Sequence, residues 1–230
     1  MLRNSLVGAT LLVALSAQAA VLDFDYTTQA ITTTSQTGLG PLNPVPFSGG
    51  WYSQTYGDVA GLVDVTYSYF AAGSSTSTSS LQTYNTGYDD LSYVAWTGSS
   101  LAGDRAQVSL ASVGGSQVTL SSFDLGIWSN GRGVPETVTV YEIGKANPVF
   151  SQQFSENVNL HHTFTLGLQS TSGFVIEWTN PWWVAIDNID SSAAPIPEPG
   201  TWALMLTGVF AIGAAVRRRL PDSKLAVAPQ

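Results

Sequence analysis

Asp23 and Asp25 stand near the start of this 230-residue chain, and Asp187 and Asp190 near the end of its body. Calcium takes about six to eight oxygen ligands. First and last strands are often neighbours when a sheet structure closes, so these carboxylates, helped by loop carbonyls, can supply such a set. A structural calcium on Asp23, Asp25 and Asp187 is therefore the one cofactor the sequence points to. The competing reading is plain: charges on the wet face of an edge strand discourage aggregation. No compact D-x-D-x-D-G loop is present, and Asp89-Asp90 reads better as a turn than as a second site.

The aromatic residues suggest a different chemistry. Trp51-Tyr52, Trp96, Trp128, Trp178 and Trp182-Trp183 are many indoles for a small domain. Sugars stack their apolar C–H faces on exposed rings, so such residues can build a glycan platform, although core filling consumes most tryptophans. Trp178 falls in phase with Phe174 and Ile176 and is expected in the core. Trp182 and Trp183 follow Asn180-Pro181 and point opposite ways, which makes them the candidate glycan contacts.

Catalytic patterns are missing. The chain has no G-x-S-x-G elbow and no H-E-x-x-H motif. His161 and His162 are its only histidines; as neighbours on a strand they face opposite ways and cannot chelate one metal as a pair. A non-enzymatic protein is expected, with a carbohydrate-active enzyme of the cell envelope as the alternative. Zero cysteine removes disulfides and thiolate chemistry together.

The elements that position these residues read as strands. Val63, Val65, Tyr67 and Tyr69 alternate with Asp64, Thr66 and Ser68; Leu22, Phe24 and Tyr26 alternate with Asp23 and Asp25. Val118 with Leu120, Phe123-Leu125-Ile127, Val138 with Val140, Phe164-Leu166-Leu168 and Phe174-Ile176-Trp178 repeat the pattern, which ends in a run over 183–189. Period-two alternation in valine, threonine and aromatic residues implies sheets with one wet and one buried face. Turn signals recur at Gly114-Gly115, Asn147-Pro148, Ser172-Gly173 and Asn180-Pro181. The expected body, residues 20–194, is one all-β domain, a single antiparallel β-sandwich of jelly-roll type. It should fold alone as a monomer. Residues 27–48 read as a long loop and residues 73–80 as a mobile low-complexity stretch.

Charge bounds the partners. Between Ala20 and Ala194 there are 14 acidic residues against Arg105, Arg132 and Lys145, a net of −11. Such a body has no basic face for nucleic acid and is repelled by anionic polymers unless divalent cations bridge them.

Both ends look like addresses. Residues 1–19 read as a secretory signal: Arg3, an uncharged run over 6–17, then Ala17-Gln18-Ala19 with cleavage after Ala19. At the other end, Pro197-Glu198-Pro199 leads into an apolar run over 201–216, closed by Arg217-Arg218-Arg219. That run is expected to be a transmembrane helix of roughly 24 Å, somewhat short for a hydrocarbon core of about 30 Å. The arginines act as its cytoplasmic stop, with residues 220–230 as a cytoplasmic extension.

Pro197-Glu198-Pro199, Gly-Thr-Trp-Ala-Leu, the apolar helix and the arginine cluster together resemble the PEP-CTERM sorting signal over residues 195–219. The resemblance implies an exported protein of a Gram-negative, exopolysaccharide-making cell. Its partner would be an exosortase that handles the Pro-Glu-Pro region. The protein would be held at the inner membrane before processing, then reach the cell surface or extracellular matrix, where exopolysaccharide is a further partner. The body also resembles PEP-CTERM proteins through Asp23-Phe24-Asp25, Phe123-Asp124-Leu125-Gly126, Val138-Thr139-Val140 and Ala185-Ile186-Asp187-Asn188-Ile189. Its closing strand is similar to that of carbohydrate-binding modules and galactose-binding-like domains, which implies the fold and leaves the ligand open. The expected role is structural, adhesive or glycan-binding in a biofilm setting.

Overall fold

The computed structural model describes residues 18–22, 24, 52, 56–84, 87–98, 101–128, 135–155, 160–196 and 199–217. The chain divides into two units, one through Pro195 and one from Ile196.

Among the described residues, the first unit holds eleven strands in two antiparallel sheets. They are β1 (Gln18–Leu22), β2 (Val63–Phe70), β3 (Gln82–Tyr84), β4 (Val94–Trp96), β5 (Arg105–Ser112) and β6 (Ser116–Ile127). There follow β7 (Glu136–Glu142), β8 (Pro148–Phe154), β9 (His162–Ser170), β10 (Gly173–Thr179) and β11 (Val184–Pro195). One sheet runs β3-β4-β11-β6-β9, with β1 also paired to β11; the other runs β2-β5-β10-β7-β8. The long β11 lies along β6 on one edge. Its other edge is shared, Ile186 pairing Ala95 of β4 and Ile189 to Ala193 pairing Leu22 to Gln18 of β1.

The alternation in the sequence becomes the core between the sheets. Val63, Val65, Tyr67 and Tyr69 are buried, and Asp64 is exposed. They pack with Val108 and Leu110 of β5, Phe123 and Leu125 of β6, Phe174, Ile176 and Trp178 of β10, and Ile186 and Ile189 of β11. In β6 the buried positions switch parity, from Ser116, Val118 and Leu120 to Phe123, Leu125 and Ile127. Against β11 the register steps from Leu120–Ser191 to Ser122–Asp190, so Ser121 is an extra residue in β6 and accounts for the switch. An extra residue in one strand moves all later side chains to the other face. Two apparent strands are thus one.

Several expectations are corrected. The first strand is Gln18–Leu22 rather than a run through Tyr26; Asp23, Asp25 and the expected loop over 27–48 lie outside the described residues. Cleavage after Ala19 would leave Ala20, Val21 and Leu22 paired with Ser191, Asp190 and Ile189. The last strand continues through Pro195, one residue past the expected end of the body, with Ala193 buried. The serine- and threonine-rich stretch after Gly73 is not loose. It folds back on β2, where the Tyr69 N–H donates to the Ser79 carbonyl and the Thr78 N–H to that of Tyr69, both at 2.9 Å.

The second unit contains the helix α1 (Pro199–Arg217), 19 residues long. The helix expected over 201–216 therefore forms. Among the described residues no helix is long and apolar enough to cross a membrane. The apolar run is short, and Thr207, Gly208 and Gly213 dilute it. Leu204, Leu206, Val209, Phe210 and Ile212 are exposed on α1. Pro197, Glu198, Arg218 and Arg219 lie outside the described residues; Pro199 opens α1 and Arg217 closes it.

Candidate functional site

A second aromatic cluster lies apart from the main core. It joins Tyr88, Leu91, Val94, Trp96 and Ala185, with Tyr84, Trp128 and Trp182 half-buried around them. Three pieces of chain bring the rings together. The β3–β4 region supplies Tyr84, Tyr88 and Trp96, the end of β6 supplies Trp128, and the turn before β11 supplies Trp182. In that turn Asn180 takes a positive φ of 48°, and its carbonyl accepts the N–H groups of Trp183 at 2.8 Å and Val184 at 3.0 Å. This geometry places Trp182 on the cluster.

Ring centroids are 4.9 Å apart for Tyr84–Trp96 and Trp96–Trp182, 5.2 Å for Tyr84–Trp128 and 5.3 Å for Tyr88–Trp128, mostly edge to face. Edge-to-face packing suits the ring quadrupoles and adds about 0.5–1.5 kcal/mol per pair beyond burial. Two glycines make room. A Cβ on Gly87 would overlap the Trp128 ring, and one on Gly126 would sit 2.6 Å from the Tyr88 carbonyl oxygen. The Tyr88 hydroxyl, 1% exposed as a residue, donates to the Trp182 carbonyl at 2.6 Å. Burial, with Tyr84 alongside, pushes that phenol well above its ordinary range, so it stays a neutral donor. Trp96, 8% exposed, donates its indole N–H to the Thr83 carbonyl at 3.3 Å. Tyr88 and Trp96 thus form a fixed floor, and the half-buried Tyr84, Trp128 and Trp182 offer the ring surface.

The two expected glycan contacts separate. Trp182 joins the cluster; Trp183 serves through its backbone, its carbonyl accepting the Trp128 N–H at 2.7 Å. Trp178 is wholly buried, as its phase required. Tyr84, Tyr88, Trp96 and Trp128 complete a site that the Trp182-Trp183 pair only signposted. Their spacing along the chain carries no periodic signal.

The carboxylates take up structural work. Asp187 is 4% exposed, and its Oδ1 accepts the backbone N–H of Phe24 at 3.2 Å and of Asn188 at 2.8 Å. It ties the chain beyond β1 to the last strand through hydrogen bonds. Asp190 is half-buried and pairs with Val21 of β1. Among the described residues no group of three or more histidine, aspartate or glutamate side chains gathers to hold a metal. Buried Asp104 accepts the Tyr69 hydroxyl at 2.8 Å and the N–H groups of Ala72 at 2.9 Å and Leu101 at 3.2 Å.

The histidines part company too. His161 faces Asp90, which accepts its backbone N–H at 2.8 Å and lies 2.8 Å from its Nδ1. His162 turns to Phe154 and to the Ser155 carbonyl. Partial burial pushes the Asp90 carboxyl up, but the two His161 contacts outweigh it and hold it below the ordinary range.

Glu136 gives a pH prediction. It is 2% exposed, and its Oε2 accepts the Asn180 side-chain amide at 2.6 Å and the Thr179 hydroxyl at 2.9 Å. Burial pushes its carboxyl above the ordinary range, and the two hydrogen bonds pull it partly back. A carboxyl raised in the folded state gives stability that is present at low pH and lost as pH rises through its folded pKa. Glu136→Gln should therefore stabilise the protein by about 1 kcal/mol at neutral pH and give no gain near pH 4. Thermal melts across that range check this, and an equal shift at both pH values would refute it.

The fold and site together define an antiparallel β-sandwich carrying an aromatic surface cluster. The chain carries a PEP-CTERM protein-sorting motif: the family model of that motif matches residues 195–219. The motif implies export, a membrane-anchored precursor and processing by an exosortase. No curated protein matches the chain. Among solved structures, the chain is similar to the family 32 carbohydrate-binding module from C. perfringens NanJ in complex with galactose. Identity is 15% and the TM-score 0.32, over 56% of this chain and 93% of that one.

Proposed function

We propose that the exported sandwich is a non-enzymatic component of the cell surface or exopolysaccharide matrix that binds neutral glycan on Tyr84, Trp128 and Trp182. The observation that carries this is the segregation of five aromatic rings into a cluster outside the main core, three of them half-buried. A core needs no such annex, whereas a sugar ring needs flat, rigid, partly exposed aromatic surface. The net charge of −11 favours neutral over anionic polymers. The engagement of Asp104, Glu136 and Asp187 in structural hydrogen bonds supports a binding role over catalysis. A jelly roll is the finer fold reading. Its support is the chain path, which crosses between sheets at every step from β4 to β11 except the β7–β8 hairpin.

Titration of the purified protein with neutral glucan and galactan oligosaccharides, followed by tryptophan fluorescence and calorimetry, tests the proposal. Trp182→Ala should weaken binding about tenfold or more, roughly 1.4 kcal/mol, and should lower the melting temperature only as far as the loss of its packing on Trp96, about 0.5–1.5 kcal/mol beyond burial, requires. Equal affinity of wild type and variant would move the site elsewhere, and release of shortened sugars would favour the enzyme alternative.

A further inference from the structure

Strands β8 and β9 end their sheets, and among the described residues nothing pairs with their outer edges. The two lie on one side of the sandwich, because Phe150 and Phe154 of β8 pack on Phe164 of β9 with ring centroids 6.0 and 5.5 Å apart. The opposite side is guarded. Tyr69 of β2 pairs with Ser79, and the Tyr52 N–H donates to the Leu81 carbonyl just before β3. An unguarded edge presents backbone donors and acceptors that fit another extended strand.

The composition of that side is as unusual as its geometry. Pro148–Phe154 and His162–Ser170 contain no aspartate, glutamate, lysine or arginine, in a body whose net charge is −11. Proteins that keep an edge strand single place charges there, and β8 has only Pro148 at its start. Pro148, Val149, Ser151, Gln152 and Gln153 are all exposed, although β8 belongs to a sandwich sheet. Two copies of so acidic a body repel one another on most approaches; this side is where strand can meet strand without opposing like charges.

We propose that the β8 edge docks a second copy of this chain, β8 against β8, antiparallel about a two-fold axis, with the two β9 edges brought alongside. The contact is self-complementary, as a two-fold interface requires. It replaces the monomer that the sequence suggested, and it stands independently of the glycan reading.

The cysteine-free sequence gives a clean test. Ser151 is the central residue of β8 and opposes Thr139 on β7, so its symmetry mate would lie near the axis. In the full chain in mild detergent, Ser151→Cys should cross-link to twice the monomer mass under mild oxidation. Ser68→Cys on guarded β2 should not. Light scattering should show a dimer for the wild type and a monomer for Ser151→Lys, with matching melts showing that the variant folds. Added salt should strengthen the dimer by screening net repulsion. A wild type that stays monomeric at millimolar concentration would overturn the proposal. So would equal cross-linking at Ser151 and Ser68, or β8 protected by this chain's own residues 25–51.

Discussion

Trp178→Ala is expected to destabilise the sandwich by about 3–5 kcal/mol, read as a lower urea midpoint with little change in slope. Trp178 is 0% exposed and lies in β10 between β5 and β7, with Ala106 and Val138 as its register partners. Truncation removes the largest side chain of the core and leaves a cavity that two flanking sheets cannot close. It also removes the indole N–H that donates to the Val184 carbonyl at 3.0 Å, at the point where the turn after β10 enters β11. Against a typical total of about 5–15 kcal/mol, the loss would leave a large unfolded population. Trp178→Phe keeps most of the apolar volume and loses the donor, so it should cost less, about 1–3 kcal/mol. A loss below about 1 kcal/mol for the alanine variant would mean that Trp178 is not part of a close-packed core.

Asp187→Ala should follow at about 2–4 kcal/mol, because it leaves the Phe24 and Asn188 N–H groups without their buried acceptor. Asp187→Asn retains one acceptor oxygen and should cost less. Hydrogen bonding requires the loss to persist in excess chelator. The calcium expectation adds a separate signal: the wild-type melt should rise with calcium, by about 2.7 kcal/mol at a hundred times the dissociation constant, and the Asp187→Ala melt should not. Coincident wild-type scans in calcium and chelator would remove the cation and leave Asp187 as a hydrogen-bonding clamp.

Both predictions rest on features of different legibility. Trp178 could be placed from sequence because a strand buried on one face repeats every second residue, and Phe174, Ile176 and Trp178 keep that beat. The same rule divided β6 wrongly, since a bulge at Ser121 against β11 changes parity without any mark in residue type. Asp187 was legible as a tie between the two ends of the body, but not as an acceptor of backbone N–H groups. That role depends on the turn at Asn188, whose φ is 49°. The aromatic cluster was half-hidden for a different reason. Its rings come from positions 84, 88, 96, 128 and 182, and only the folded path of β6 and β11 brings their centroids to 4.9–6.5 Å from one another. The serine-rich stretch misled because composition reports a segment's cost of ordering, not the edge of β2 that offsets it.

The pairing of β1 with β11 has a bearing on how this chain is exported. Secretion threads a polypeptide amino end first, so Gln18–Leu22 reaches the far side early and waits for Val184–Pro195, the last strand of the sandwich to arrive. That late strand is also the middle of its sheet, joining β4 and β1 on one edge to β6 on the other. Until it emerges, β6 lacks its main neighbour and β1 has no partner at all among the described strands. The order of threading therefore keeps the closing step of folding outside the membrane, and leaves the chain pliable while it is still in the channel.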